Sequence, residues 1–377
     1  MKLAHVSFNP CRSVYNKIVG QAKAAKELGF DFEFIVLSND INKKDENIKL
    51  FKLDLPSNNF LRKMAINFFR FRTISKSVDL TPYDRIILRY PNSVDPFYKN
   101  FFKKYENKII TEHQTNAVAE LKTQEVGFLN PLRIFLEKKN SPKLLSKVVG
   151  IIGVTDEIRR MHLDLAKQAK PSIVIPNGID VRSITFTKFK PVDNSALNII
   201  FVSSIFEPWH GLDRLLRGLM QYDGYITIKL FLVGNIYRSE ELKLLKSLHE
   251  KDVNIHIMGE LYGAKLDKYY IDSNVAVSSL ALFRNEMNEG CVLKTREYIT
   301  RGIPFIYAYN DVDIEDDCAF ALKVDNCNDP IDIQKIIQFA ERVSKIENLS
   351  ENMREYAARN LDWKNKIKEM HQFALKT

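Results

Sequence analysis

The stretch Arg284-Asn285-Glu286-Met287-Asn288-Glu289-Gly290-Cys291-Val292-Leu293-Lys294-Thr295-Arg296-Glu297-Tyr298-Ile299-Thr300-Arg301-Gly302-Ile303-Pro304 decides how the chain is read. Strand-like Val275-Ala276-Val277-Ser278-Ser279 precedes it, and Phe305-Ile306-Tyr307-Ala308-Tyr309 follows. Between them the pattern predicts a helix from near Gly290 to Gly302, with Pro304 just beyond. Glycine after the last turn and proline shortly after is the ordinary stop signal. Glu289 falls at the helix entrance and Glu297 about two turns in, roughly 12 Å along the axis and about 80° around it. The amides of Gly290, Cys291, Val292 and Leu293 lie between them in projection. Free amides at a helix N-terminus attract anions, and the macrodipole adds to the attraction. A carboxylate, an amide cup and a second carboxylate, in that order, suit a sugar–diphosphate–ribose ligand. The plain alternative is a solvated helix face with incidental acids.

The chain is 377 residues long, which suits two domains, and 45% hydrophobic residues suit ordinary cores. No apolar run approaches the roughly 18 residues of a membrane span. Met1–Phe8 reads as a first strand and lacks the pattern of a signal peptide. Cys11, Cys291, Cys318 and Cys327 show no metal-binding spacing, so free thiols in a reducing cytoplasm are expected. The net charge of +9 is unevenly spread. Residues 1–195 hold 33 Lys/Arg against 20 Asp/Glu, and residues 196–377 hold 23 against 27. A basic first half suggests an anionic partner: a membrane surface, a phosphorylated lipid or nucleic acid. The competing explanation is the lysine-rich composition of an AT-rich genome.

From the N-terminus, strand 3–8, a helix to Leu28 and strand 31–37 form a parallel β-α-β opening. No Gly-x-Gly-x-x-Gly follows the first strand, so a dinucleotide site there is not expected. Residues 59–78 read as one amphipathic helix, with Phe60, Leu61, Met64, Ala65, Phe68, Phe71 and Ile74 at helical spacing. Arg62, Lys63, Arg70, Arg72 and Lys76 are interleaved, and no acid occurs from Leu55 to Val78. Such a helix is either a membrane-surface element or a core helix with a basic outer face. Arg89 closes a short strand on the same side. His113 lies just past the strand Lys108–Thr111, where α/β sites gather; packing is the alternative role. A basic helix is expected over Pro131–Lys139, with Pro142 starting a fresh turn. Residues 182–195 read as a polar linker. The second half opens with strand Leu197–Ser203, and Ser350 reads as a helix N-cap.

The two glutamates with seven residues between them, the helix ending Arg301-Gly302-Ile303-Pro304 and the strand after it resemble the retaining glycosyltransferases of family four. Ile175-Pro176-Asn177-Gly178-Ile179-Asp180 is similar to that family's strand end before its interdomain linker. The resemblance implies an α/β chain of the GT-B fold, with two Rossmann-like domains facing across a cleft. The acceptor-side domain would be 1–181 and the nucleotide-sugar domain 196–360. The C-terminal helix 363–377 would return to the first domain, with Asp362-Trp363 as the crossing. Glu289 would face the donor sugar, Glu297 would bind the ribose, and His113 would touch the sugar from the other domain. Backbone after Gly259, at Glu260-Leu261, would meet the base. Ser203-Ser204 and His210-Gly211 stand where the family has Gly-Arg and Lys-Gly, so both usual phosphate-binding cations are absent. Trp209-His210-Gly211 is similar to a variant of polysaccharide-assembly members. Charge compensation is expected from Arg284 and Lys294, and from His210 if phosphate protonates it.

Retention, independence of metal and cofactor, and a nucleotide-sugar donor follow from the resemblance. So does a lipid-diphosphate-linked saccharide acceptor in capsule, lipopolysaccharide or similar assembly at the inner face of a bacterial membrane. Arg62, Lys63, Arg70, Arg72 and Arg89 would form the acceptor and membrane side. Asp311-Val312-Asp313 matches a metal motif of the other large glycosyltransferase fold, but sits in a plain acidic loop with Glu315, Asp316 and Asp317. The alternatives are a sugar-nucleotide epimerase of the same fold, which leaves the basic helix unexplained, and an inactive partner subunit, which the missing cations allow. Nucleic-acid binding would need a recognised module, and none is present.

Overall fold

The computed structural model describes residues 1–39, 45–91, 95–123, 130–192, 196–250 and 253–377. The chain divides into two compact units, Met1–Asp180 with Trp363–Thr377, and Val181–Asp362. The first unit runs β1 (Leu3–Phe8), α1 (Arg12–Glu27), β2 (Phe32–Ser38), β3 (Ile48–Lys52), α2 (Asn59–Phe68), α3 (Arg70–Ser77), β4 (Arg85–Arg89), α4 (Tyr98–Lys104), β5 (Ile109–His113), α5 (Ala117–Thr123), α6 (Asn130–Leu145), β6 (Gly150–Gly153), α7 (Asp156–Ala166) and β7 (Ser172–Val174). The second runs β8 (Ala196–Ile205), α8 (Leu212–Gln221), β9 (Thr227–Asn235), α9 (Ser239–Glu250), β10 (Asn254–Ile257), α10 (Ala264–Ile271), β11 (Val275–Val277), β12 (Glu289–Gly290), α11 (Leu293–Arg301), β13 (Phe305–Tyr307), β14 (Asn310–Asp311), β15 (Ala321–Lys323), α12 (Ile333–Val343) and α13 (Leu349–Asn360). Helix α14 (Trp363–Lys376) then rejoins the first unit against α1.

Each unit has a parallel sheet, ordered β3-β2-β1-β4-β5-β6-β7 and β10-β9-β8-β11-β13-β15. The strands read as continuous apolar runs because helices cover both faces. In the first sheet Ala4, Val6, Ile35, Ile86 and Leu88 pack on one side, while Leu3, Phe34, Val36, Ile87 and Ile110 pack on the other with Trp363 and Ile367 of α14. Gly20 of α1 is tight against that returning helix: a Cβ there would lie 2.8 Å from Trp363. Chain direction across each sheet reverses once, between β1 and β4 and between β8 and β11. Crevices form at such reversals, outside the strands' C-terminal ends.

Several elements differ from the sequence reading. Residues 59–78 form two helices broken at Phe69, whose φ of −131° and ψ of 35° leave the helical region. The second helix buries Phe71 and Ile74 fully and is core; the first leaves Phe60 59% and Leu61 52% exposed. Helix α6 continues through Pro142 to Leu145. Asn348, not Ser350, is the N-cap of α13; Ser350 instead donates to the Gly302 carbonyl at 2.9 Å. The expected linker is folded onto the second unit: Thr187 donates to the Arg301 carbonyl at 2.8 Å, and Val192 to the Ser344 hydroxyl at 3.0 Å. Its end, 193–195, lies outside the described residues.

Candidate functional site

At the strand-order reversal of the second unit the loops that leave β8 and β11 come together. Ser204 lies exposed near the end of β8, and Trp209-His210-Gly211 follows in a tight turn. Gly211 is left-handed at φ 70°, and a Cβ there would approach that of Leu280 to 2.9 Å. Leu280 donates to the His210 carbonyl at 3.0 Å and Ala281 to that of Trp209 at 3.2 Å, which joins the two loops. Arg214, 2% exposed, ties in the loop after β15 through the carbonyls of Asp329 at 2.7 Å and Asp325 at 2.9 Å. Beside them Gly234, at the end of β9, meets Gly259, to whose carbonyl it donates at 2.7 Å. No side chain fits at Gly234, since a Cβ would lie 1.7 Å from the Ser203 carbonyl oxygen. Leu261 is half-buried just beyond.

Within the organising stretch the helix starts later than its sequence suggests. Glu289 and Gly290 form β12, paired with Asn310 and Asp311, and α11 begins at Leu293. The unpaired first-turn amides are therefore those of Leu293, Lys294 and Thr295, and not those of Gly290 and Cys291. Glu289 is half-buried on the short strand. Glu297 stands at the fifth helical position, just over one turn in, and its Oε1 accepts from Arg301 at 2.8 Å. Arg301 also pairs with Asp267 at 2.8 Å and lies 4.2 Å from the centre of the Tyr270 ring. Gly290 is required by close approach: a Cβ would come within 2.6 Å of Leu282 and 2.7 Å of Tyr309.

The cations divide sharply. Arg284 donates to both carboxylate oxygens of Asp213 at 2.7 and 2.8 Å, to the Pro208 carbonyl at 2.9 Å and to Asn328 at 2.7 Å. That corrects its expected role as a phosphate cation, because four acceptors already hold it in the loop framework. Arg296, fully buried, is clamped by Asp311 and by Asp313 at 2.8 Å, which accounts for the Asp-x-Asp pattern. His210 belongs to the loop framework as well. Its Nδ1 accepts the Glu207 amide at 2.9 Å, and burial, reinforced by Lys294, drives its pKa well below the usual range. It is a neutral capping ring that carries no charge near pH 7. Lys294 remains. Its Nζ is buried without a hydrogen-bond partner, 5.2 Å from the centre of the Phe201 ring, and burial lowers its pKa from 10.5 to about 7.

In the first unit His113 is 1% exposed, with its ring 3.7 Å from that of His162 and 4.5 Å from that of Tyr90. Its Nε2 lies 2.9 Å from the Thr111 hydroxyl, and burial followed by the His162 charge lowers its pKa well below the usual range. His113 is thus packed among core side chains, with its Nδ1 buried and without a hydrogen-bond partner. Arg89 is half-buried at the end of β4, one Nη being buried without a hydrogen-bond partner. Arg62, Lys63 and Arg72 are exposed, whereas Arg70 is held by the Ile66 carbonyl, to which it donates at 2.6 Å. Burial and the neighbouring Arg133 lower its pKa to about 10, so it is no free surface cation. Sequence reasoning missed the buried Glu112, bonded to Lys17 and His5, each at 3.0 Å. Although burial pushes the other way, Lys17 and then His5 hold its pKa well below the usual carboxylate range. These partners are 95 and 107 residues away, and no local pattern marks them.

No protein-family profile matches the sequence, and no curated protein matches it. Solved structures do. The chain is similar to a sucrose-phosphate synthase from Thermosynechococcus elongatus at 16% identity, over 100% of this chain and 98% of that one, with a TM-score of 0.67. It is similar to WaaG, a glycosyltransferase involved in lipopolysaccharide biosynthesis, at 15% identity over 100% of both chains, with a TM-score of 0.66. It is similar to Anabaena HepE, solved with UDP and glucose, at 12% identity over 100% of both chains, with a TM-score of 0.63. Two parallel sheets with their helices, matched over the full chain, give this protein the fold of the GT-B glycosyltransferases.

Proposed function

We propose that the protein is a glycosyltransferase that moves a sugar from a nucleotide-sugar donor, with retention and without a metal or cofactor, to a lipid-diphosphate-linked saccharide in bacterial surface-polysaccharide assembly. The observation that carries the reading is the placement of Glu289 and Glu297 on either side of the α11 N-terminus, beside the β8–β11 reversal. The fold is shared with HepE, whose structures contain UDP with glucose and UDP-glucose, and with WaaG of lipopolysaccharide biosynthesis.

In this mechanism negative charge grows on the leaving diphosphate. The first-turn amides of α11 and the Lys294 ammonium stabilise it, in a place where they are already oriented. Glu289 holds the sugar hydroxyls and faces the electron-poor carbon. Glu297, fixed through Oε1 by Arg301, turns Oε2 to the ribose, so binding far from the reacting carbon helps position it. Gly259 and Leu261 offer backbone to the base, and Ser204 lines the entrance. Arg89, at the C-terminal edge of the first sheet, is the acceptor-side cation.

Release of nucleoside diphosphate from a panel of sugar nucleotides, with and without a lipid-diphosphate-linked saccharide, tests the reading. Acceptor-dependent release of one nucleotide is expected. Glu297→Ala should weaken binding of that nucleotide by tenfold or more, because hydrogen bonds to a charged acceptor contribute about 1.5–3 kcal/mol each. Conversion of a sugar nucleotide without acceptor would favour the epimerase, and binding without turnover the inactive subunit.

A further inference from the structure

Lys294 differs from the other cations of α11 and its neighbouring loops. Arg284 faces Asp213, Arg296 faces Asp311 and Asp313, and Arg301 faces Glu297 and Asp267. Lys294 extends from the first turn of α11 to a buried Nζ with no acceptor and, among the described residues, no ion pair. On the β8 side it meets the Phe201 ring, and the Ser203 hydroxyl there donates to the Ile205 carbonyl at 2.7 Å. From the turn before α8, His210 faces it, and Nδ1 of that ring already takes the Glu207 amide, so the hydrogen sits on Nε2 and the ring cannot accept from a lysine. Two acids of the neighbouring turns have partners of their own, Asp213 with Arg284 and Arg217 and Glu207 with Tyr237 at 2.9 Å. A charged ammonium in such a place lacks compensation, which burial makes costly.

We propose that Lys294 is the charge partner of the donor diphosphate in place of a cation at position 210, and that it takes up a proton from solution when the nucleotide binds. The proposal rests on the nucleotide-sugar reading above. In the empty site the neutral amine avoids an uncompensated buried charge. An arriving diphosphate supplies opposite charges at short range and favours the ammonium again. A lysine with a permanent carboxylate would have to exchange one anion for another; this one becomes charged only against its ligand. The linkage has a definite sign. Below about pH 7 the amine is already protonated in the empty site, and affinity is greatest. Above that, binding must draw in a proton, so affinity falls about tenfold per pH unit until the bound-state pKa is reached.

Titration calorimetry with UDP, ADP and GDP at about pH 8 to 9, above the range in which terminal phosphates titrate, tests this in buffers of different ionisation enthalpy. The tightest of them should bind wild type with buffer-dependent heat equivalent to about one proton taken up, and about tenfold more weakly at the higher pH. Lys294→Met should bind it more weakly, with no uptake and a flat pH profile. Lys294→Arg, charged throughout, should bind with no uptake and the same flat profile. Binding by wild type without proton uptake overturns the inference and leaves the nucleotide reading standing. Uptake that persists in Lys294→Met or Lys294→Arg overturns it as well, since another group then carries the proton. Failure of wild type to bind any of the three, or any sugar nucleotide of the panel, overturns the nucleotide reading itself.

Discussion

At Gly290 the absence of a side chain, rather than backbone flexibility, is what the fold uses. Leu282 and Tyr309 close on it from two sides, and Cys291, 6% exposed, follows. Gly290→Ala should displace those neighbours at a cost of about 1–3 kcal/mol, and shift Glu289 and the α11 entrance together. Urea unfolding should show the lost stability, and nucleotide affinity should fall with it; an unchanged midpoint would show that the pocket has room to relax. The two glutamates were legible in the sequence because their spacing and the Gly302 stop are local patterns. The fate of Arg284 was not, because its partner Asp213 is 71 residues away. Nor was that of His113, enclosed by Tyr90 and His162 from other elements. Charge and position alone put Arg284 and Lys294 on one footing, with His210 conditional on phosphate; burial and partners separate them.

Among the elements, α11 shows how a helix boundary moves a binding site. Glycine at its C-terminus marked the end well, whereas its start depends on the β12–β14 pairing, which periodicity does not reveal. That pairing is held by Arg296, which reaches from α11 to Asp311 on β14 and to Asp313 beyond it. Arg296→Met should cost about 3–5 kcal/mol, because it leaves the fully buried Asp311 carboxylate without its partner. Chemical denaturation of that variant and of Arg296→Met/Asp311→Leu separates the contributions: the double variant should recover much of the loss. If the single variant unfolds with the wild type, the clamp is not what holds β12 to β14. The helices α1 and α14 are legible in the sequence. Helices α4, α5 and α7 and strand β3 were not assigned: three of the four are seven residues or fewer, and α7 shows that even 11 residues can pass unread. The break at Phe69 was also hidden, since the apolar spacing continues across it although the backbone does not.

Over the whole molecule, charge is the property most unevenly divided, and it concentrates in the half that holds the exposed apolar residues of α2. Phe60 and Leu61 are exposed at the start of that helix beside Arg62 and Lys63, while Arg72 and Lys76 are exposed on α3. No acid occurs between residues 55 and 78 to oppose them. Among the described residues no helix is long and apolar enough to cross a membrane. An anionic lipid surface fits this combination: each basic residue near it contributes about 1 kcal/mol that salt screens away, and two inserted apolar side chains contribute a salt-resistant part. Arg70, half-buried and donating to the Ile66 carbonyl, is not one of these exposed cations. Arg62→Gln/Lys63→Gln/Arg72→Gln/Lys76→Gln should therefore reduce sedimentation with anionic vesicles, and activity on lipid-linked acceptors, in a salt-dependent way. Nucleotide binding should stay at the wild-type value, because Glu289, Lys294 and Glu297 belong to the other unit. Phe60→Ser/Leu61→Ser should remove the part of binding that survives high salt. Equal sedimentation of wild type and both variants on anionic and neutral vesicles would mean that α2 meets no membrane, and would turn the search for an acceptor toward soluble saccharides.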